Sequence, residues 1–207
     1  NGGSAITGYT VQQSVDAGAS WSTVATGVTV TTLDVTGLTN ATGYVFRVVA
    51  ANEVAGDGDW SARTATITPY TLPGAPTGLS TIPGDGQVEL SWTAPADNGG
   101  SAITGYTVEY SADGETWSTF ATGVAASTLK VDVTGLSNGT GYVFRVSATN
   151  AAGTGGVSDP SAAVAPYTTP DAPVSVEASP GDSQVEVSWT PGGTGGSGIT
   201  SYTVTAN

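Results

Sequence analysis

Asp57 and Asp59 stand two residues apart in the glycine-rich run AGDGDWS, residues 55–61. Paired carboxylates are the tools of glycoside hydrolysis, where one donates a proton and the other acts as base or nucleophile. That division needs one carboxyl desolvated so that its pKa rises. A run of glycines supplies no apolar wall to do this. Nor is another route open, because the chain has no His, no Cys and a single lysine, Lys130. Nucleophile and base pairs cannot be assembled from such a set. The chain is expected to be no enzyme, with no catalytic residue and no cofactor.

The same acids invite a divalent cation, but calcium takes six to eight oxygens. The counterpart loop of the next repeat, GTGGVS at 153–158, has no carboxylate at all. A solvated loop with no metal is therefore expected. Trp60 is the more telling residue of the loop, since its counterpart is Val157. Loops carry recognition and Trp is favoured at contacts, which makes Trp60, Asp57 and Asp59 candidate contact residues. The competing and preferred role for Trp60 is to cover the base of its loop or pack on the next domain. Arg47 and Arg145 recur at equivalent outward positions together with Trp21 and Trp117. A guanidinium stacked on an indole is expected there, worth about 0.5–1 kcal/mol when exposed. Two N-x-T sequons, at Asn40 and Asn138, also recur, in a polar loop that needs such residues for its turn in any case. No RGD tripeptide occurs.

Composition narrows the partners. Four basic residues against 17 acidic ones give a net charge of -13, so the cationic footprint that phosphate backbones and anionic membranes require is missing. No run of 18 apolar residues is present and no membrane insertion is expected. The first residues carry no basic stretch followed by an apolar block. Without Cys or Met there is no disulfide framework and no oxidisable sulfur, which suits a location outside a cell.

The elements that hold these residues are repeated. NGGSAITGYTV occurs at 1–11 and again, unchanged, at 98–108, and a degraded copy, GGSGITSYTV, fills 195–204. QVELSW and QVEVSW, and the two copies of GYVFRV, keep nearly the same step of about 97 residues. That period is too long for a solenoid repeat and matches one small domain. PYTLPGAP at 69–76 and PYTTPDAP at 166–173 mark the junctions, and their prolines make short, stiff spacers. The expected organisation is a partial domain at 1–72, a complete one at 73–169 and a partial one at 170–207.

Inside the complete repeat the apolar period is two. QVELSWT (87–93) sets Val88, Leu90 and Trp92 on one face, and GYVFRVSAT (141–149) sets Tyr142, Phe144, Val146 and Ala148 inward. Other expected strands are Thr77 to Ile82, Ile103 to Ser111, Thr116 to Ala121, Thr128 to Val133 and Ala162 to Tyr167, separated by turn clusters such as PGDG and ADNGG. Seven short strands in so few residues read as an all-β, two-sheet antiparallel sandwich.

Pro76, Trp92, ITGYTV at 103–108, Leu136 six residues before Tyr142, FRVSATN at 144–150, Gly153 with Gly155, and Ser158 together resemble the fibronectin type III domain. The resemblance implies tandem immunoglobulin-like sandwiches, with Leu136 and Tyr142 forming the tyrosine corner of such folds. It implies a core of Trp92, Tyr106, Leu136 and Tyr142, with Leu38, Tyr44 and Trp189 as counterparts in the partial domains. The partial domain at 1–72 lacks the first two strands, and that at 170–207 holds the first three.

On these grounds the expected function is a structural or adhesive segment of an extracellular or cell-surface array, stalk or filament. The DNGGSAITGY wording and low lysine content resemble bacterial surface and secreted arrays. The alternatives are a non-catalytic spacer in a secreted polysaccharide-degrading enzyme and a component of a virion or tail fibre. Expected partners are neighbouring domains or copies of the chain in an array, with a surface protein or glycan as a further possibility and no nucleic acid. The last segment encodes strands that the first one lacks, so copies could complete each other head to tail, but the ITGYTV strand would then be present twice, and a window on a longer, repeating chain is the preferred expectation.

Overall fold

The computed structural model describes residues 2–205, so the outer limits Asn1 and Asn207 of the expected partial domains lie outside the described residues. Every regular element among the described residues is a β-strand. The chain divides into two compact units. The first comprises Asn1–Pro73 with Asp97–Ala102 and Asn150–Gly153; the second comprises Gly74–Ala96, Ile103–Thr149 and Thr154–Asn207.

In the first unit, β1 (Ile6–Ser14), β2 (Ser22–Val28), β3 (Val45–Asn52) and β4 (Gly56–Asp57) make one antiparallel sheet in the order β2-β1-β3-β4. β1 is central, with Gln12 opposite Thr23 on one side and Arg47 on the other. Strand alternation then puts Tyr9 and Val11 on the face away from Gln12.

The second unit contains the complete sandwich. Its strands are β5 (Thr77–Pro83), β6 (Gln87–Thr93), β7 (Gly105–Ser111), β8 (Ser118–Ala125), β9 (Lys130–Thr134), β10 (Val143–Asn150) and β11 (Gly153–Val157). They form two sheets, β5-β6-β9 and β11-β10-β7-β8. Val88, Leu90 and Trp92 from β6 meet Tyr106, Val108, Phe144 and Val146 from β7 and β10, all buried. The Trp92 and Tyr106 rings pack edge to face with centroids 5.3 Å apart. A last hairpin of β12 (Val174–Gly181) and β13 (Gln184–Thr190) pairs only with itself.

The corner tyrosines close the loops before their strands. The Tyr142 hydroxyl accepts the Ser137 amide at 3.2 Å, and the Tyr44 hydroxyl accepts the Thr39 amide at 3.0 Å. Leu136 and Tyr142 are both buried.

Four features differ from the sequence expectation. Ala162 to Tyr167 is not a regular strand, although Val164 bridges Tyr142. The amides of Ser158, Ser161 and Val164 donate to the carbonyls of Val146, Phe144 and Tyr142, three residues on one side for two on the other. The Ser158 and Ser161 hydroxyls accept the Val146 and Phe144 amides that a regular ladder would have paired with main chain. Secondly, residues 32–36 form no strand, whereas their counterparts form β9. β9 exists because β6 pairs with it from Gln87–Thr134 to Ser91–Lys130, and residues 32–36 have no such partner among the described residues. Thirdly, residues 199–204, the last copy of the β1 sequence, carry no strand for the same reason. Fourthly, Leu38 and Trp189 are only half-buried rather than core, since the opposite sheet that buries Leu136 and Trp92 has no equivalent around them.

Candidate functional site

Of the residues singled out for contact, Trp60 lies on the outer face of the β1–β3 pair. Arg47 projects from β3, and the Gln12 side chain of β1 accepts from its Nε at 3.0 Å and from Nη2 at 2.7 Å. Held flat in this way, the guanidinium lies between two indoles, 4.1 Å from the Trp21 ring centroid and 4.3 Å from that of Trp60. Trp60 therefore covers its own strand pair, while its edge stays exposed. The complete repeat has half of this arrangement. Arg145 stacks on Trp117 at 4.2 Å, its Nε donates to Glu109 at 2.8 Å, and no second indole is present because Val157 replaces Trp60.

Asp57 ends β4 opposite Ala51, and both Asp57 and Asp59 are exposed. With Gly2, Ile6 and Gly58 they line a shallow hollow of about 300 Å³. The structure thus brings Asp57, Asp59 and Trp60 to one loop. Among the described residues, no three or more His, Cys, Asp or Glu side chains gather as a metal would require.

The two sequons differ in use. Asn138 donates to the Asp85 carboxylate at 2.8 Å and accepts the Gly86 amide at 2.9 Å, so its side chain is engaged in closing the β5–β6 turn. Asn40 is exposed.

Asn150 has a role that the sequence did not disclose. It is 4% exposed, and its amide nitrogen donates to the carbonyls of Thr71 and Asn98, both at 2.8 Å. Its oxygen accepts the Ala152 amide. Next to it, the Thr71 amide donates to the Gly99 carbonyl at 2.8 Å. Gly99 has φ +71°, and a Cβ there would strike the Thr71 and Leu72 carbonyls. In the second unit the Thr168 amide donates to the Gly195 carbonyl at 2.8 Å, and a Cβ on Gly195 would meet the carbonyls of Thr168 and Thr169. The proline-bounded segments are thus fastened to the same glycine of the recurring NGGS or GGSG run. That recurrence was the available signal.

The inner face of the first unit is open. Tyr9, Val11, Phe46 and Val48 look onto a cavity of about 550 Å³ that Val30, Leu33, Val35 and Leu38 also line. Val48 is 37% exposed where its counterpart Val146 is fully buried.

Comparison with known proteins agrees with this geometry. The fibronectin type III domain pattern matches residues 1–67 and 74–164. Chitinase A1 of Niallia circulans is 35% identical over 156 residues, 72% of this chain and 20% of its own length. Endoglucanase B of Cellulomonas fimi is 34% identical over 161 residues, 73% of this chain and 14% of its own length. The striated-muscle M-protein of Gallus gallus is 34% identical over 191 residues, 89% of this chain and 12% of its own length. The chain spans a fifth or less of these curated relatives. What is matched in them is a non-catalytic module. With its sandwich strands, its corner tyrosines and the pattern match over most of its length, the chain belongs to the fibronectin type III family, as tandem domains of that family.

Proposed function

We propose that the chain is a structural segment of a longer extracellular protein, an array or stalk of tandem fibronectin type III domains that spaces or presents other parts and does no chemistry itself. The observation that carries this reading is the fastening of the proline-bounded segment by Asn150 and Gly99, repeated at Gly195. Main-chain bonds of this kind, made by glycines at fixed positions of each repeat, favour a chain whose links are as specified as its domains. Adhesion, filament formation and a place at the cell surface belong to the same proposal, supported by the net charge of -13 and the lack of Cys and Met.

A second reading, a spacer within a polysaccharide-degrading enzyme, is favoured by the chitinase and endoglucanase among the relatives. A hydrolase domain in the same polypeptide supports it, whereas a long run of further repeats or a wall anchor supports the first. Co-sedimentation with insoluble chitin and cellulose tests what the two readings share. Both expect the chain to stay in the supernatant. Retention on the polysaccharide that Trp60→Ala abolishes would replace them with a carbohydrate-binding role.

A further inference from the structure

The described residues hold two Asn-Gly dipeptides, Asn98–Gly99 and Asn138–Gly139. In such a pair the glycine nitrogen, with no Cβ beside it to block approach, can attack the asparagine side-chain carbon. The two pairs are held in opposite ways. Asn138 is tied down: its Nδ2 donates to Asp85 at 2.8 Å, its Oδ1 accepts the Gly86 amide at 2.9 Å, and the Gly139 amide donates to the Pro166 carbonyl at 2.9 Å. Its side chain is drawn toward the β5–β6 turn, and its glycine nitrogen faces a carbonyl that takes no proton. Asn98 is arranged for reaction. The Gly99 amide donates to the Asp97 carboxylate at 2.8 Å, within the reach of a general base. The Asn98 Oδ1 accepts the Gly100 amide at 2.9 Å, which folds the side chain back over its own peptide and sets a donor on the oxygen where charge would develop. Asp97 and Asn98 are both exposed, so water reaches them. The equivalent segment at 193–196 reads GTGG where 97–100 reads DNGG, and its Gly195 carbonyl still accepts the Thr168 amide as Gly99 accepts that of Thr71. The clasp on the proline-bounded segment therefore needs the glycine but neither Asp97 nor Asn98.

We propose that Asn98 is a site of spontaneous succinimide formation, assisted by Asp97, whose opening by water loosens the clasp on Thr71. Asp97 takes the Gly99 amide proton while the Gly99 nitrogen attacks Asn98 Cγ, and the Gly100 amide holds the resulting oxyanion on Oδ1. The Cγ–Nδ2 bond then breaks, the departing nitrogen takes the proton from Asp97, and ammonia leaves a five-membered ring. Water opens that ring at either carbonyl, giving aspartate or isoaspartate at position 98. The isoaspartyl product carries one extra methylene in the main chain. That insertion falls between two contacts of the clasp, the Asn98 carbonyl that accepts Asn150 at 2.8 Å and the Gly99 carbonyl that accepts the Thr71 amide at 2.8 Å. Both cannot keep their register once the backbone between them lengthens. The glycine that the clasp requires is thus the residue that exposes Asn98 to attack. This is a one-way change in the chain itself rather than action on a substrate.

The two dipeptides make the test internal to one molecule. The full chain is incubated folded in warm neutral buffer and, separately, unfolded in urea, and peptide mass spectrometry follows the loss of each side-chain amide, with fragmentation separating aspartate from isoaspartate. In the folded chain Asn98 should convert at least about tenfold faster than Asn138, and unfolding should bring the two rates together. Asp97→Asn keeps an oxygen to accept the Gly99 amide but cannot take its proton, so conversion of Asn98 should slow at least about tenfold in that chain. Amide hydrogen exchange on the aged sample should show Thr71 unprotected in the converted fraction and protected in the rest. Equal rates at Asn98 and Asn138 in the folded chain, or an Asp97→Asn chain that converts like its parent, overturns the assisted reaction. Thr71 protection that survives conversion overturns the loosening.

Discussion

The Trp92 ring meets the Tyr106 ring edge-on, with centroids 5.3 Å apart and planes at 69°, and this pair joins the two sheets of the complete repeat. Trp189 and Tyr202 repeat the 5.3 Å separation in the last segment, with no second sheet around them. The same two residue types thus make a core in one place and a surface pair in the other.

Trp92→Ala should destabilise the complete repeat by about 3–5 kcal/mol, the cost of losing a large buried aromatic and leaving a cavity. That is comparable with the whole stability of a small domain. Trp189→Ala should leave the same transition nearly unmoved. Urea titration followed by far-UV circular dichroism compares the two, and a Trp92→Ala chain that melts like its parent would contradict the assignment of this core.

The contrast shows what a sequence can hold. Val88, Leu90 and Trp92 were legible because an alternating run fixes which side chains share a face, and recurrence fixes which runs matter. Leu38 and Trp189 carry the same letters and are only half-buried, because burial depends on a partner sheet that the letters do not contain. Residues 162–167 resisted reading for another reason: Ser158 and Ser161 satisfy the β10 amides through their hydroxyls, so the backbone steps by three where a strand steps by two. The Arg47–Trp21 stack followed from recurrence, but the placement of Trp60 on the opposite face of Arg47 did not, since Val157 gave no parallel.

That missing parallel can be supplied. Val157→Trp should add an indole to the uncovered face of Arg145 and raise the stability of the complete repeat by about 0.5–1 kcal/mol. Trp60→Ala should remove a similar amount from the first unit, and Arg47→Lys should weaken both of its stacks, because a point charge replaces a planar fork. Denaturant midpoints measure the stability changes. Tryptophan fluorescence of the Arg47→Lys chain should shift as the two indoles lose the planar guanidinium stacked on them.

Gly99→Ala should be costly although the residue lies in a loop. Its φ of +71° is disfavoured for an L side chain, and the added Cβ meets the Thr71 and Leu72 carbonyls, which are main chain and cannot swing aside. A loss of about 1–3 kcal/mol is expected. Gly27→Ala is the control: its φ is +65°, but no atom lies within contact of its Cβ position, so only the backbone strain applies. Amide hydrogen exchange should show the Thr71 amide losing protection in Gly99→Ala and keeping it in Gly27→Ala.

Acid should loosen both repeats through one recurring loop. The Ser14 and Ser20 hydroxyls and the Ser20 amide hold the Asp16 carboxyl well below the usual carboxylate range. The Thr116 and Glu115 amides and the Ser111 hydroxyl do the same for Asp113. With these pKa values lowered, the unfolded chain binds more protons than the folded one once pH drops below the ordinary aspartate value of about 4. Their contribution is therefore complete above that pH and is lost progressively as pH falls further. Thermal melting between pH 6 and about pH 2 should show the midpoint of the complete repeat falling below pH 4. In Asp113→Asn the midpoint at neutral pH should be lower and its fall on the acid side shallower, because the group that titrates has been removed. A parent and variant with parallel acid slopes would show that Asp113 is not a source of the pH dependence.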